Sequence, residues 1–324
     1  MPIFDDFDDD FDAVAERARD PDAGIRRVAM LGLAESVDPG AVDLLLVGLK
    51  DTDADVREAA AKALDEHAGL PAALGLIDAL DDAAEAVRLA AAESLADKKE
   101  PASAPRLIAR AQENTGPQSA FVRTAALRAL RDMQDPAAMP VALAALTDPE
   151  IAVRREALGV LGYLKADAAL PALLLAATDP EAAVRRAVMA ALVFVKSGTA
   201  GVPALIAGLK DAHWQVREEA AFSIGKAKLP EAVDPLMRAA NDDAWQVQAK
   251  AVNALGKLKA RAAVPVVADA LGHDLSNVRK EAAAALGEIA DPSAVGALEA
   301  AFDDPDPDVR KLVRWALERC RAAA

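Results

Sequence analysis

Residues 51–64 read Asp-Thr-Asp-Ala-Asp-Val-Arg-Glu-Ala-Ala-Ala-Lys-Ala-Leu, and this pattern returns about every 31 residues. Its marker is an aliphatic residue followed by Arg. It stands at Ile25-Arg26, Val56-Arg57, Val87-Arg88, Val122-Arg123, Val153-Arg154, Val184-Arg185, Val216-Arg217, Val278-Arg279 and Val309-Arg310, with Val247-Gln248 as the variant. The steps are 31, 31, 35, 31, 31, 32, 31, 31 and 31 residues. A repeat of this size is one supersecondary unit that cannot bury its apolar face alone, so copies stack and share a continuous core.

Counting the aliphatic marker as zero, position +4 is Ala or Val in every copy, from Ala29 to Val313. Position +8 is Leu or Ile, from Leu33 to Leu317, and position +7 is small except at Val160. Positions 0, +4, +7 and +8 share one face of a helix, and small residues there let a neighbouring helix approach closely. An Asp stands six residues before the Arg at Asp20, Asp51, Asp82, Asp148, Asp179, Asp211 and Asp304. Such an Asp is placed to cap backbone N–H groups or to accept from an Arg of the next repeat. Pro105, Pro140, Pro171, Pro203, Pro235 and Pro265 open the preceding helix, where a missing N–H is harmless.

A turn Asp, then Val-Arg, then Ala-Ala-x-Ala-Leu, with Pro before an apolar helix, resembles the HEAT repeat. The short unit is similar to the subfamily found in bilin (phycobiliprotein) lyases. The resemblance covers residues 7–320 and implies an all-α fold, a superhelical α–α solenoid of about ten HEAT-like helix pairs. It implies little about function, because HEAT arrays mostly serve as binding scaffolds without a common active site.

Composition fits that fold and narrows the function. Aromatic residues make up only 3% of the 324 residues, and the net charge is −15. Nucleic-acid binding needs cationic surface, so it is not expected. A single cysteine, Cys320, allows no intrachain disulfide and fits a reducing, cytoplasmic setting. No signal peptide or membrane-spanning segment is expected.

Residues 1–12, MPIFDDFDDDFD, form an acidic–aromatic segment with Phe4, Phe7 and Phe11 on one helical face. It reads as a cap on the array at 13–324, or as a short peptide that docks on a partner. Residues 97–121 are irregular: both connections lengthen, and Pro117 takes the place of the turn Asp. Asp51, Asp53 and Asp55, like Asp304, Asp306 and Asp308, imitate the start of a calcium loop, but the required Gly and Glu are missing, so they read as turns. Trp214 and Trp245 share one phase and read either as a stacking platform or as residues packed over the next repeat. Trp315 reads as a terminal cap. Gln248 and His273 interrupt the Arg–Asp pattern.

Catalytic material is sparse. His67, His213 and His273 lie at different phases, and no His-Glu pair, zinc spacing, phosphate loop or nucleophile elbow occurs. No cofactor or metal is expected. The exposed ridge of each second helix should be positions +2, +6 and +10. That ridge gathers Arg128, Arg155, Tyr163, Arg186, Phe194 and Phe222, with Gly159 and Ala190 leaving a hollow. None of these arginines has an Asp assigned by the pattern. The expectation is a non-catalytic scaffold or adaptor, a monomer or a subunit of a complex. It would bind an acidic, partly apolar segment of a partner protein on its concave face. The resemblance to bilin lyases implies an alternative, a tetrapyrrole or its acceptor protein. A further alternative is an accessory subunit of an enzyme complex.

Overall fold

The computed structural model describes residues 11–113, 116 and 118–323. Its contacts divide the chain into two compact units, residues 1–164 and 165–324, each described by itself. The first unit holds five helix pairs: α1 (Phe11–Arg17) with α2 (Ala23–Gly32), α3 (Ala41–Gly48) with α4 (Ala54–Ala63), α5 (Leu70–Ala79) with α6 (Glu85–Asp97), α7 (Ala104–Gln112) with α8 (Ser119–Met133), and α9 (Met139–Ala145) with α10 (Ile151–Leu164). The second holds five more: α11 (Leu170–Ala176) with α12 (Ala182–Ala191), α13 (Gly201–Gly208) with α14 (Trp214–Ala227), α15 (Val233–Ala239) with α16 (Trp245–Lys257), α17 (Val264–Asp269) with α18 (Ser276–Ile289), and α19 (Val295–Ala300) with α20 (Pro307–Ala322). The fold is all-α, with no strand among the described residues.

Local chemistry marks the start of several helices. Asp53 caps α4 by accepting from the backbone N–H groups of Asp55 and Val56, and Asp306 does the same for α20. Pro105, Pro140, Pro171 and Pro265 sit in the first turns of α7, α9, α11 and α17. Second helices then pack in a row, α2 to α8 onto α10 in the first unit and α12 to α20 in the second. The marker aliphatics other than the exposed Ile25, the +4 residues and the +8 residues form the core; Val56, Ala60 and Leu64 are wholly buried. Backbone approaches backbone closely at Gly256, where an added Cβ would lie 2.7 Å from the Ala285 Cα.

The Arg–Asp pattern becomes a ladder. Arg26, Arg57 and Arg123 in the first unit grip Asp51, Asp82 and Asp148; Arg185, Arg217 and Arg279 in the second grip Asp211, Asp242 and Asp304. The direction differs from expectation: each Asp accepts from the Arg of the preceding repeat. The cause is local. Arg57 spends Nη1 on the Asp51 and Thr52 carbonyls of its own turn, which leaves its Nε–Nη2 edge facing the following repeat. The ladder fails at Gln248 and His273, where the pattern predicts, and also at Arg88, which follows from the direction of pairing. Arg88 keeps its own-turn carbonyls, but its buried Nε has no partner, and the guanidinium lies 5.8 Å from the Phe121 ring centroid. Pro117, read as replacing the Asp there, lies outside the described residues. Gln248 retains only the bond to the Asp242 carbonyl. His273 imitates the missing Asp: its Nδ1 accepts from the Leu275 N–H at 3.0 Å.

The ends and exceptions follow the same physics. Phe11 opens α1, and its ring lies against Gly40; Phe4 and Phe7 lie outside the described residues. Trp315 covers Gly287, with the Arg319 guanidinium 5.3 Å from its ring centroid. Trp214 and Trp245 each begin a second helix and remain 36% and 38% exposed, so packing covers them only in part. Among the described residues no helix is long and apolar enough to cross a membrane, and no cluster of three metal-ligating side chains occurs.

Candidate functional site

The ridge of second helices carries the six candidate residues, three in each unit. In the first unit, Arg128 projects from α8 and is exposed, yet it is already engaged: its Nη2 and Nε lie 3.1 and 3.3 Å from Glu156 Oε1. Arg155, one residue earlier on α10, is exposed and has no hydrogen-bond or ion-pair partner among the described residues. Tyr163 stands in the last turn of α10, 48% exposed, with the Arg131 guanidinium 5.7 Å from its ring centroid. The expected hollow at Gly159 is filled, because the Arg131 side-chain stem occupies the space a Cβ would need. Arg131 itself is held by Asp132 at 3.0 Å, so the stem has a fixed course over Gly159.

In the second unit, Arg186 is exposed on α12, with Nε 3.3 Å from Glu219 Oε2. Both Arg128 and Arg186 thus find a glutamate three residues past the marker of the following repeat. The expectation that the pattern leaves them unpaired is corrected at these two positions. Exposed pairs of this kind contribute only about 0–1 kcal/mol, so they yield readily to a competing ligand carboxylate. Phe194 ends the 3-10 turn Leu192–Phe194 and is half-buried.

Phe222 is the most developed element of the ridge. It lies at the middle of α14 and is 37% exposed. Three ammonium groups surround its ring: Lys226 Nζ at 5.9 Å, Lys250 Nζ at 5.9 Å and Lys257 Nζ at 5.7 Å from the centroid. Lys226 is one turn beyond Phe222 on α14. Lys250 and Lys257 come from α16, which packs alongside. Each cation–π contact is worth about 0.5–1 kcal/mol at an exposed site. None of the three lysines has a carboxylate partner among the described residues. Three like charges around one ring repel one another, and an anion placed among them would relieve that repulsion. Of this cluster the sequence pattern singles out Phe222 and none of the three lysines. Carrying the ridge into repeat eight would have reached Lys257 at +10. Lys250, at +3, becomes visible only once α14 and α16 are side by side.

Two cavities lie elsewhere, along the turns. One of about 510 Å³ is lined by Arg19, Asp20, Arg26 and Lys50, and another of about 440 Å³ by Leu46, Leu49, Pro71 and Leu74. Both are open to solvent, and neither includes a ridge residue named above.

Stacked helix pairs locked by an Arg–Asp ladder define an α-helical repeat protein of the solenoid type. The pattern for HEAT repeats matches residues 11–76, 73–150, 139–202, 202–274 and 239–318. The chain belongs to the HEAT-repeat family. No curated protein sequence matches it. Among solved structures it is similar to an engineered protein (22% identity, TM-score 0.51, 96% of this chain and 99% of that one). It is also similar to YibA of Escherichia coli (20%, TM-score 0.53, 91% and 97%) and to yeast importin-β, Kap95p (17%, TM-score 0.60, 96% and 49%). At these identities the likeness concerns the fold.

Proposed function

We propose that this chain is a non-catalytic scaffold or adaptor that binds a partner protein along the face built by its second helices, the concave side in HEAT arrays. The partner contributes an acidic, partly apolar segment. The observation that carries this reading is the exposed Phe222 within three unpaired lysines, in a chain whose net charge is −15. Exposed aromatic side chains beside cations suit a segment with carboxylates and an apolar residue, since aromatic anchors supply most of the energy at such interfaces. Tyr163 and Arg155 offer the same chemistry in the first unit. HEAT arrays of related fold engage proteins: Kap95p has been solved in complex with Nup1.

The test is comparative purification from the native host. The wild-type chain and an Arg155→Glu, Tyr163→Ser, Phe222→Ser variant serve as baits, with retained proteins quantified by mass spectrometry. The expected result is a set of proteins lost from the variant while its helical signal and melting temperature hold. An identical set from both baits would refute the reading.

A further inference from the structure

The cluster around Phe222 asks for a ligand with several carboxylates and an aromatic or apolar side chain in a short length of chain. One segment of this protein has that composition. Residues 1–10, MPIFDDFDDD, carry five aspartates and the two phenylalanines Phe4 and Phe7. The chain has only seven phenylalanines, so two in ten residues is a marked concentration. Helix α1 begins at Phe11, whose ring is engaged at Gly40, and residues 1–10 precede it in the sequence. Ten residues reach at most about 33–36 Å. The cluster spans two adjacent second helices, whose axes lie roughly 8–10 Å apart in packed helices. Reach is therefore not limiting once the segment is nearby.

We infer that the Phe222–Lys226–Lys250–Lys257 cluster binds residues 1–10 of a second copy of this chain. The aspartates meet the three ammonium groups, and Phe4 or Phe7 packs on the exposed face of Phe222. Each copy offers one segment and one cluster, so reciprocal exchange closes a dimer of two-fold symmetry without exposing a further end. Recognition of this kind is electrostatic at the rim and aromatic at the centre, so it weakens steeply as salt screens the lysines. The inference rests on the proposed binding role of the second-helix face. It adds that the chain's own acidic segment competes there with the partner.

The experiment uses the full chain in two arms. In the first, a fluorescein-labelled MPIFDDFDDD peptide is titrated with wild type, with Lys250→Glu/Lys257→Glu and with Phe222→Ser, and fluorescence polarisation is read. Binding weakened at least tenfold by each variant, and at least tenfold by raising salt from about 50 to 300 mM, supports the inference, provided circular dichroism is unchanged. Lys250→Gln/Lys257→Gln serves if the charge reversal disturbs folding. In the second arm, sedimentation velocity follows wild type and a chain with Asp5, Asp6, Asp8, Asp9 and Asp10 changed to Asn. Concentration-dependent dimers in wild type only are expected. Equal peptide binding by all variants, or a wild-type chain that stays monomeric throughout, would overturn the inference. The aspartate-to-asparagine chain also separates the two claims. If the wild-type and the aspartate-to-asparagine chains both capture the native partner while the wild type stays monomeric, the second-copy inference fails and the scaffold reading stands.

Discussion

The guanidinium of Arg57 holds the carboxylate of Asp82 through two bonds, Nε to Oδ2 at 2.7 Å and Nη2 to Oδ1 at 2.9 Å. The two residues are 25 positions apart in sequence and belong to successive repeats. Asp82 also accepts from the Ala84 N–H, and Arg57 donates to its own turn. One pair therefore ties two turns, a helix start and a repeat interface together.

The ladder should contribute measurably to stability. Arg185→Ala removes the fork on Asp211 and the donors to the Asp179 and Pro180 carbonyls. It should cost about 1–3 kcal/mol, since partly buried acceptors are left unpaired. Arg310→Ala is the natural comparison: Arg310 donates to the Asp304 and Pro305 carbonyls and makes no fork to a carboxylate among the described residues. Its loss should cost less than half as much. Urea melts of the two variants decide the matter, and equal losses would mean that the inter-repeat fork contributes nothing.

Acid should unfold the protein through the same residues. The Arg26 hydrogen bonds hold Asp51 below the usual carboxylate range, and Arg185 and Arg279 do the same for Asp211 and Asp304. Partial burial works against Asp306, but hydrogen bonds from Ser276, Lys280 and the Asp308 and Val309 N–H groups bring it down to about 2. A carboxylate with a depressed folded pKa stabilises the fold fully above its unfolded pKa, about 3.9, and loses that contribution as pH falls through the folded value. The melting temperature should hold above pH 5 and fall between about pH 4 and 2. Asp306→Asn should be less stable at pH 7 and show a shallower acid slope; an unchanged slope would remove Asp306 from the account.

Gly256 marks a contact with no spare room. An added Cβ would meet Ala285 backbone on the adjoining helix, and backbone cannot swing aside as a flexible side chain does. Gly256→Ala should destabilise by about 1–3 kcal/mol despite the better helix propensity of Ala. Gly32→Ala, where nothing lies near the added carbon, should be neutral or stabilising. Thermal melts that rank the two the other way would show that packing between second helices is looser than the geometry indicates.

Ala290 offers a stabilising change. It ends α18 in the left-handed region at φ 52°, with its N–H bonded to the Leu286 carbonyl. That conformation is strained by roughly 1–2 kcal/mol for a residue with a Cβ and not for glycine. Ala290→Gly should raise stability by about 1 kcal/mol, read as a shift in denaturation midpoint at unchanged slope. A loss of stability would show that the Ala290 methyl contributes more through packing than the strain costs.

The candidate ridge shows how legibility thins from repeat to neighbour. Positions 0, +4 and +8 were readable because a helix has a fixed period and a stacked unit must bury one face. The Arg–Asp partners were readable in kind because the same two residues recur in the same phase, although the direction of pairing had to be seen. Arg128 with Glu156, and Arg186 with Glu219, were not readable. These partners join unlike positions of neighbouring repeats, 28 and 33 residues apart, and no single-repeat pattern brings those positions together.

By itself, the sequence determined that this chain is an all-α array of HEAT-like pairs, which face of the second helices is core, and that the Arg–Asp pattern is interrupted at Pro117, Gln248 and His273. Those features depend on residues close in the chain and on a strict period, so local physics suffices. Only the tertiary structure decided which ridge cations are neutralised, that the Arg131 stem fills the space over Gly159, and that Lys226, Lys250 and Lys257 converge on Phe222. Those outcomes depend on how side chains of adjacent second helices interleave, and that is set by packing distances a one-dimensional pattern does not contain.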